Sequence, residues 1–231
     1  MSRYVLHIGN KNYSSWSLRP WVLMRALDID FDENLHPFEA GSNWAAFRAF
    51  SPNGRVPCLH DGGQLVWDSL AIAEYLAEQH PGVWPAEPAA RAWARCAAAE
   101  MHSGFNALRG QCPMHCGFRI RMRAVTPDLH HDLDRVDELW REGLMRFGGP
   151  FLTGERFTAV DAFFAPVAFR VQTYDLPLSP PARAYVDQLL ALPAMREWEA
   201  AALAEPWRDE GHDQEALAAG ALIADLRKPN R

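Results

Sequence analysis

No stretch of this 231-residue chain stays apolar for the roughly 20 residues that a bilayer-spanning helix needs, which argues against a membrane protein. Positive charge is not in excess either. Lys and Arg number 23 against 29 Asp and Glu, a formal net charge of −6 without the basic footprint of a nucleic-acid binder. Cysteine is scarce, and four in the whole chain are too few for a disulfide scaffold. Cys112 and Cys116 flank His115, but Cys58 and Cys96 fall in an apparent strand and an alanine-rich helix, so no second ligand pair is in place and no metal is expected. The start of the chain lacks the long apolar segment of a secretory leader, and the expected location is the cytoplasm. What the chain does have, 48% hydrophobic and 23% charged residues, is the balance of a globular protein.

The first eighty residues alternate strand-like and helix-like stretches. Residues 4–8 are short and β-prone, and 17–27 read as a helix that tolerates Pro20 only in its first turn. Residues 56–60 and 64–67 flank Asp61-Gly62-Gly63, a hairpin signal. Asp68-Ser69 then offers cap chemistry for a helix over 70–79. These elements make a small α/β domain over 1–80. Pro81, Pro85 and Pro88 mark a linker over 81–88. The remainder, 89–231, reads as an all-α domain with helices over 89–109, 127–147, 158–174, 182–192 and 194–204. Thr158-x-x-Asp161 is a capping-box signature before an apolar run. A last helix over 214–226 is expected to end in a basic, frayed stretch, 227–231.

Three constellations could carry chemistry. Ser14, Ser15 and Ser17 lie between a strand end and a helix start, where free amides and the helix dipole favour an anion. A hydroxyl there can donate to a thiolate and lower a thiol pKa from its usual value of about 8.5; equally, these can be ordinary N-cap serines. No Gly-x-Ser-x-Gly elbow supports a serine hydrolase. Val56-Pro57 opens a strand with a residue that cannot donate to the ladder. A cis bond there would turn the Val56 N–H and C=O outward toward an extended, peptide-like ligand; the other reading is an edge-strand proline. Asp68 suits an ammonium group and Ser69, with the helix amides, a carboxylate, which together match an α-amino-acid head; a plain N-cap is the competing reading. The nine tryptophans are scattered, and only Trp16 falls beside these residues.

In order and spacing, Ser14-Ser15-x-Ser17-x-Arg19, Ser51-Pro52-x-Gly54-x-Val56-Pro57, Asp68-Ser69-Leu70-Ala71-Ile72-x-Glu74-Tyr75-Leu76 and Thr158-Ala159-Val160-Asp161 resemble the cytosolic glutathione S-transferase family. The double serine looks most like the zeta class, which includes maleylacetoacetate isomerases. The resemblance implies a thioredoxin-like N-terminal domain, an all-helical C-terminal domain, a homodimer and a role in detoxification. It implies glutathione as co-substrate, joined to a small electrophile. Ser14 would stabilise the glutathione thiolate with Ser15 in support. Val56, beside a cis Pro57, would pair with the cysteinyl unit, and Asp68 and Ser69 would hold the γ-glutamyl end. Trp16, Phe105 and Arg109 are the expected electrophile-pocket residues, with the 111–118 segment as a candidate lip.

Three departures from the family pattern stand out. Trp16 replaces the zeta cysteine, Arg55 stands before Val56-Pro57 where Gln is typical and would instead meet the glycyl carboxylate, and the substrate-binding arginine of the helical domain is not in register, Arg170 lying about one helical turn away. The leading expectation is therefore a serine-dependent transferase. The alternatives are a maleylacetoacetate-type isomerase and a non-catalytic, transferase-like interaction module. A cysteine-based oxidoreductase is weaker, because Ser14 and Ser15 stand where such relatives carry cysteine.

Overall fold

The protein is described from a computed structural model covering residues 3–39 and 41–227. Strand β1 (Tyr4–Ile8) buries Tyr4, Leu6 and Ile8 at every second position, the period of a strand packed on a core. It pairs in parallel with β2 (Phe31–Leu35) and antiparallel with β3 (Cys58–Asp61). Gly62, at φ +59°, allows the tight turn into β4 (Gln64–Trp67), and the sheet order is β2-β1-β3-β4. Helix α1 (Ser15–Ala26) makes the β1–β2 crossover, the short α2 (Trp44–Phe47) precedes β3, and α3 (Ser69–Ala77) follows β4. Helix α1 begins two residues before the expected start, so Pro20 sits in its second turn rather than its first. Pro20 has no N–H to give, and the Trp16 carbonyl is left without its intrahelical donor.

The second half is mostly helical: α4 (Pro88–Ser103), α5 (Asn106–Gln111), α6 (Pro127–Phe147), α7 (Ala159–Tyr174), α8 (Pro180–Ala191), α9 (Pro193–Ala204) and α10 (Glu210–Leu217). Proline opens α4, α6, α8 and α9, where its missing N–H has no helical partner to lose. Two expectations are corrected. The helix read over 89–109 breaks at Gly104 and Phe105, the latter at φ 57°, into α4 and α5. The second half is mostly but not wholly helical: β5 (Phe118–Met122) and β6 (Gly220–Asp225) pair antiparallel, using one residue of the expected lip and nearly half of the expected last helix, of which 214–217 are helical in α10. Residues 228–231 of the expected frayed end lie outside the described residues, while Arg227 is buried.

Helix α7 is the central member, buried along nearly its whole length, and α1 and α4 pack against it. Its start is fixed by Asp161. One carboxylate oxygen accepts from the Leu152 amide (3.0 Å) and the Tyr185 hydroxyl (2.8 Å), the other from the Thr158 amide (2.9 Å) and hydroxyl (3.2 Å). Burial pushes the Asp161 pKa up to about 6 against these four donors. Asp161→Ala would strand several buried donors, and urea denaturation at pH 7 is expected to show a loss of about 3 kcal/mol or more.

Candidate active site

A cavity of about 610 Å³ opens where the end of β1, the start of α1 and the loop before β3 face α5 and α7. Ser14, Ser15, Trp16, Arg55, Val56, Arg109 and Arg170 all line it. A smaller recess of about 160 Å³ shares Trp16, Arg55 and Val56 and adds Pro57, Asp68 and Ser69. Nine of the ten residues singled out from the sequence thus line two adjoining spaces. Phe105 does not. It is 6% exposed and packs in the core at the α4–α5 break, and its expected place in the electrophile pocket is corrected.

Ser14 is the N-cap residue of α1 and nearly buried. Its hydroxyl donates to Ser17 Oγ at 2.8 Å, and Ser17 Oγ in turn accepts from the Gly9 amide at 3.1 Å. Ser15, the first residue of α1, is half-buried on the cavity wall. Val56-Pro57 is a cis peptide, and Val56 makes no backbone–backbone hydrogen bond among the described residues, which leaves its N–H and C=O open to a ligand strand. Asp68 takes φ 76°, a costly conformation for a residue with a side chain. Its carboxylate caps α3 by accepting from the Leu70 amide at 2.8 Å, and its other oxygen lies 3.4 Å from His102 Nε2. The capping reading of Asp68 therefore holds alongside its exposure to the recess.

Three guanidiniums converge behind the serines. Arg109 lines the cavity and donates to the Met101 and His102 carbonyls, its guanidinium carbon 4.8 Å from the Trp16 ring centroid. Arg19, only 2% exposed, packs 4.2 Å from the same ring and 4.9 Å from Phe163. Arg170, 4% exposed, donates from Nε to the Cys112 carbonyl at 2.8 Å, and no carboxylate pairs with it among the described residues. Burial, and the neighbouring Arg109, hold the Arg170 pKa down to about 10, and the same two causes, with Arg170 added, depress that of Arg19. The Nε atoms of Arg19 and Arg109 are buried without a hydrogen-bond partner among the described residues. A buried cation with no counter-ion is costly, and an anion bound at the Arg109–Arg170 wall would relieve that cost.

Sequence reasoning left Arg170 a turn out of register. A helix keyed by its own capping box brings it to the cavity all the same. The available signal was an arginine between the apolar run Phe163-Phe164-Ala165-Pro166-Val167-Ala168-Phe169 and Val171, a place where a charge is rarely buried without a partner. No group of three or more His, Cys, Asp or Glu among the described residues is arranged to hold a metal ion.

Comparison with known proteins agrees with this geometry. Residues 13–79 match the family description "Glutathione S-transferase, N-terminal domain", and residues 119–201 match "Glutathione S-transferase, C-terminal domain". A probable maleylacetoacetate isomerase of Caenorhabditis elegans is 26% identical over 186 residues, 76% of this chain and 82% of that protein. The maleylacetoacetate isomerase of Rattus norvegicus is 24% identical over 198 residues, 83% and 90%. Among solved structures, the theta-class glutathione S-transferase of Xanthomonas axonopodis pv. citri with glutathione bound is 25% identical, with a TM-score of 0.63 over 85% of this chain and 97% of that one. A Burkholderia glutathione transferase homolog with bound glutathione, 21% identical, gives a TM-score of 0.65 over 87% and 98%. The two matched regions contain Ser14, Val56 and Asp68 in the first and Arg170 in the second, and the chain belongs to the glutathione S-transferase family.

Proposed function

We propose that this protein is a glutathione-dependent enzyme that activates the glutathione thiol at Ser14 and delivers it to an electrophile bearing a carboxylate. Family membership and the glutathione-bound structural neighbours support the glutathione half. In this reading Asp68 and Ser69 hold the γ-glutamyl end, Val56 pairs its open backbone groups with the cysteinyl unit, and Arg55 takes the glycyl carboxylate. Ser14 lies at the amino end of α1, where unpaired amides and the helix dipole favour a thiolate. A hydroxyl rotates freely, so the pair Ser14–Ser17 can reverse its bond. Gly9 N–H then donates to Ser17, Ser17 to Ser14, and Ser14 to the thiolate, a chain in which each bond polarises the next.

One observation carries the choice of electrophile: Arg170 is an almost fully buried guanidinium without a carboxylate partner among the described residues, lining the same cavity as Ser14 and Arg109. An uncharged aryl or alkyl halide would leave that charge unpaired. A conjugated carboxylate would pair with it and present its electrophilic carbon to the thiolate, which favours the isomerase-type chemistry named for the curated relatives over general transfer. Reversible thiolate addition, bond rotation and elimination regenerate glutathione, and a transfer reaction would stop at the thioether. Pairing of two copies, as in the family, is part of the same proposal. The test is a panel of matched electrophiles, each as free acid and methyl ester, assayed with glutathione. Free acids are expected to turn over at least tenfold faster, relative to their uncatalysed rates, than their esters. Equal or faster ester turnover would reject the carboxylate reading.

A further inference from the structure

The loop that delivers Ser14 is tied to the sheet through the Lys11–Glu33 ion pair at 2.6 Å, and also to the helical half and the far end of the chain. The Lys11 and Asn12 amides donate to the Glu205 carboxylate at 2.6 and 3.3 Å, and the Lys11 carbonyl accepts from Trp198 Nε1 at 2.9 Å. The Asn12 side-chain oxygen accepts from the Gly117 amide at 2.9 Å. Tyr13, directly before Ser14, is fixed at its hydroxyl. That group donates to Asp213 Oδ1 at 2.8 Å and accepts from the Asp209 amide at 3.1 Å and from an Arg227 guanidinium nitrogen. Arg227 also makes two bonds to Asp213, at 2.9 and 3.0 Å, and lies 5.1 Å from the Phe118 ring centroid. His115 completes the group. Its Nδ1 accepts from the Phe118 amide at 3.0 Å, which puts the proton on Nε2, 3.0 Å from Asp213 Oδ1.

These bonds fix what Tyr13 can and cannot do. Its one proton is committed to Asp213 and its lone pairs to two donors, while burial, with Asp213 beside it, raises its pKa. Tyr13 lines the cavity, yet it has no donor left for a thiol. What it has is leverage. The Tyr13 and Ser14 amides both donate to the Asn10 carbonyl, at 3.2 and 2.8 Å, so a shift of the Tyr13 ring moves the turn that aims the Ser14 hydroxyl.

We propose that Asp213 and Arg227, acting through the Tyr13 hydroxyl, are positioning residues for Ser14, so that the α10–β6 segment sets the aim of the thiol-activating group. The inference rests on the reading of Ser14 as thiol activator. A misaimed hydroxyl weakens a charge-assisted hydrogen bond that exists only with the thiolate, so the loss falls on thiol ionisation and turnover, not on recognition of the tripeptide.

The experiment uses the full chain and four variants: Tyr13→Phe, Arg227→Gln, Arg227→Lys and Ser14→Ala. Two quantities are measured, the pKa of bound glutathione from thiolate absorbance against pH, and the Kd of S-methylglutathione, which has no ionisable thiol. Tyr13→Phe and Arg227→Gln are expected to raise the bound-thiol pKa by about one unit and lower kcat about tenfold, with the S-methylglutathione Kd within about twofold of wild type. Arg227→Lys, which keeps the charge and a donor, should recover part of the loss. If Ser14→Ala raises the thiol pKa while Tyr13→Phe and Arg227→Gln leave it unchanged, the positioning proposal fails and the Ser14 reading stands. If Ser14→Ala itself leaves the pKa unchanged, the Ser14 reading fails and takes the proposal with it. A loss of S-methylglutathione affinity and thermal stability at constant thiol pKa would show packing alone and overturn the proposal.

Discussion

Arg170→Met is expected to abolish most turnover of a carboxylated electrophile while sparing an uncharged one. Removing one partner of a buried, hydrogen-bonded charge pair costs about 2–5 kcal/mol, so kcat/KM for the free acid should fall about 30-fold or more. The methyl ester never paired with the guanidinium and should change by less than about threefold. Stability supplies the second half of the prediction. In the free protein Arg170 is 4% exposed and lacks a carboxylate partner among the described residues, and its burial carries a penalty that an unbranched apolar side chain of similar length removes. Against that stands the bond to the Cys112 carbonyl, worth about 1.5–3 kcal/mol as a bond to a charged group. The desolvation relief is at least as large, so calorimetry should find Arg170→Met no less stable than wild type. A variant that loses stability together with activity on acid and ester alike would make Arg170 a structural residue.

Ser14→Ala is expected to cost at least tenfold in kcat, about 1.4 kcal/mol, at nearly unchanged affinity for glutathione. The hydroxyl contributes mainly to the ionised thiol, so its removal should appear as a rise in the bound-thiol pKa and an alkaline shift of the pH–rate profile. Ser17→Ala tests the hydroxyl chain. It leaves Ser14 able to donate but removes the group that polarises it, and a smaller loss of about two- to fivefold is expected. Ser15 is the necessary comparison, since it too lines the cavity. If Ser15→Ala reproduced the whole effect and Ser14→Ala did not, the activating hydroxyl would be the neighbouring one.

Much of this site was legible because its signals are local. The Asp61-Gly62-Gly63 turn, the Asp68 cap and the Thr158–Asp161 box each depend on residues a few positions apart, and each is present in the structure. Their spacing along the chain points to the family. What escaped depends on distance. Strands β5 and β6 pair residues about a hundred positions apart, so neither could be identified by inspecting one segment. Phe118-Arg119-Ile120-Arg121-Met122 carries the alternation of a half-buried strand, but five residues between two helical patterns do not show what they pair with. The α4–α5 break escaped because helical spacing continues through Gly104 while Phe105 adopts a left-handed backbone conformation. Arg227, expected in a frayed end, is instead tied to Tyr13 and Asp213 by bonds that no local pattern could suggest.

The account turns on the state of the bound thiol, and the most direct measurement is the ultraviolet difference absorbance of protein-bound glutathione as a function of pH, for wild type and Ser14→Ala. A thiolate band in wild type that titrates at least one unit below the ordinary thiol value of about 8.5, and moves back toward that value in Ser14→Ala, is the predicted result. Glutathione bound as a thiol throughout the neutral range, or a thiolate band that Ser14→Ala leaves in place, would contradict it.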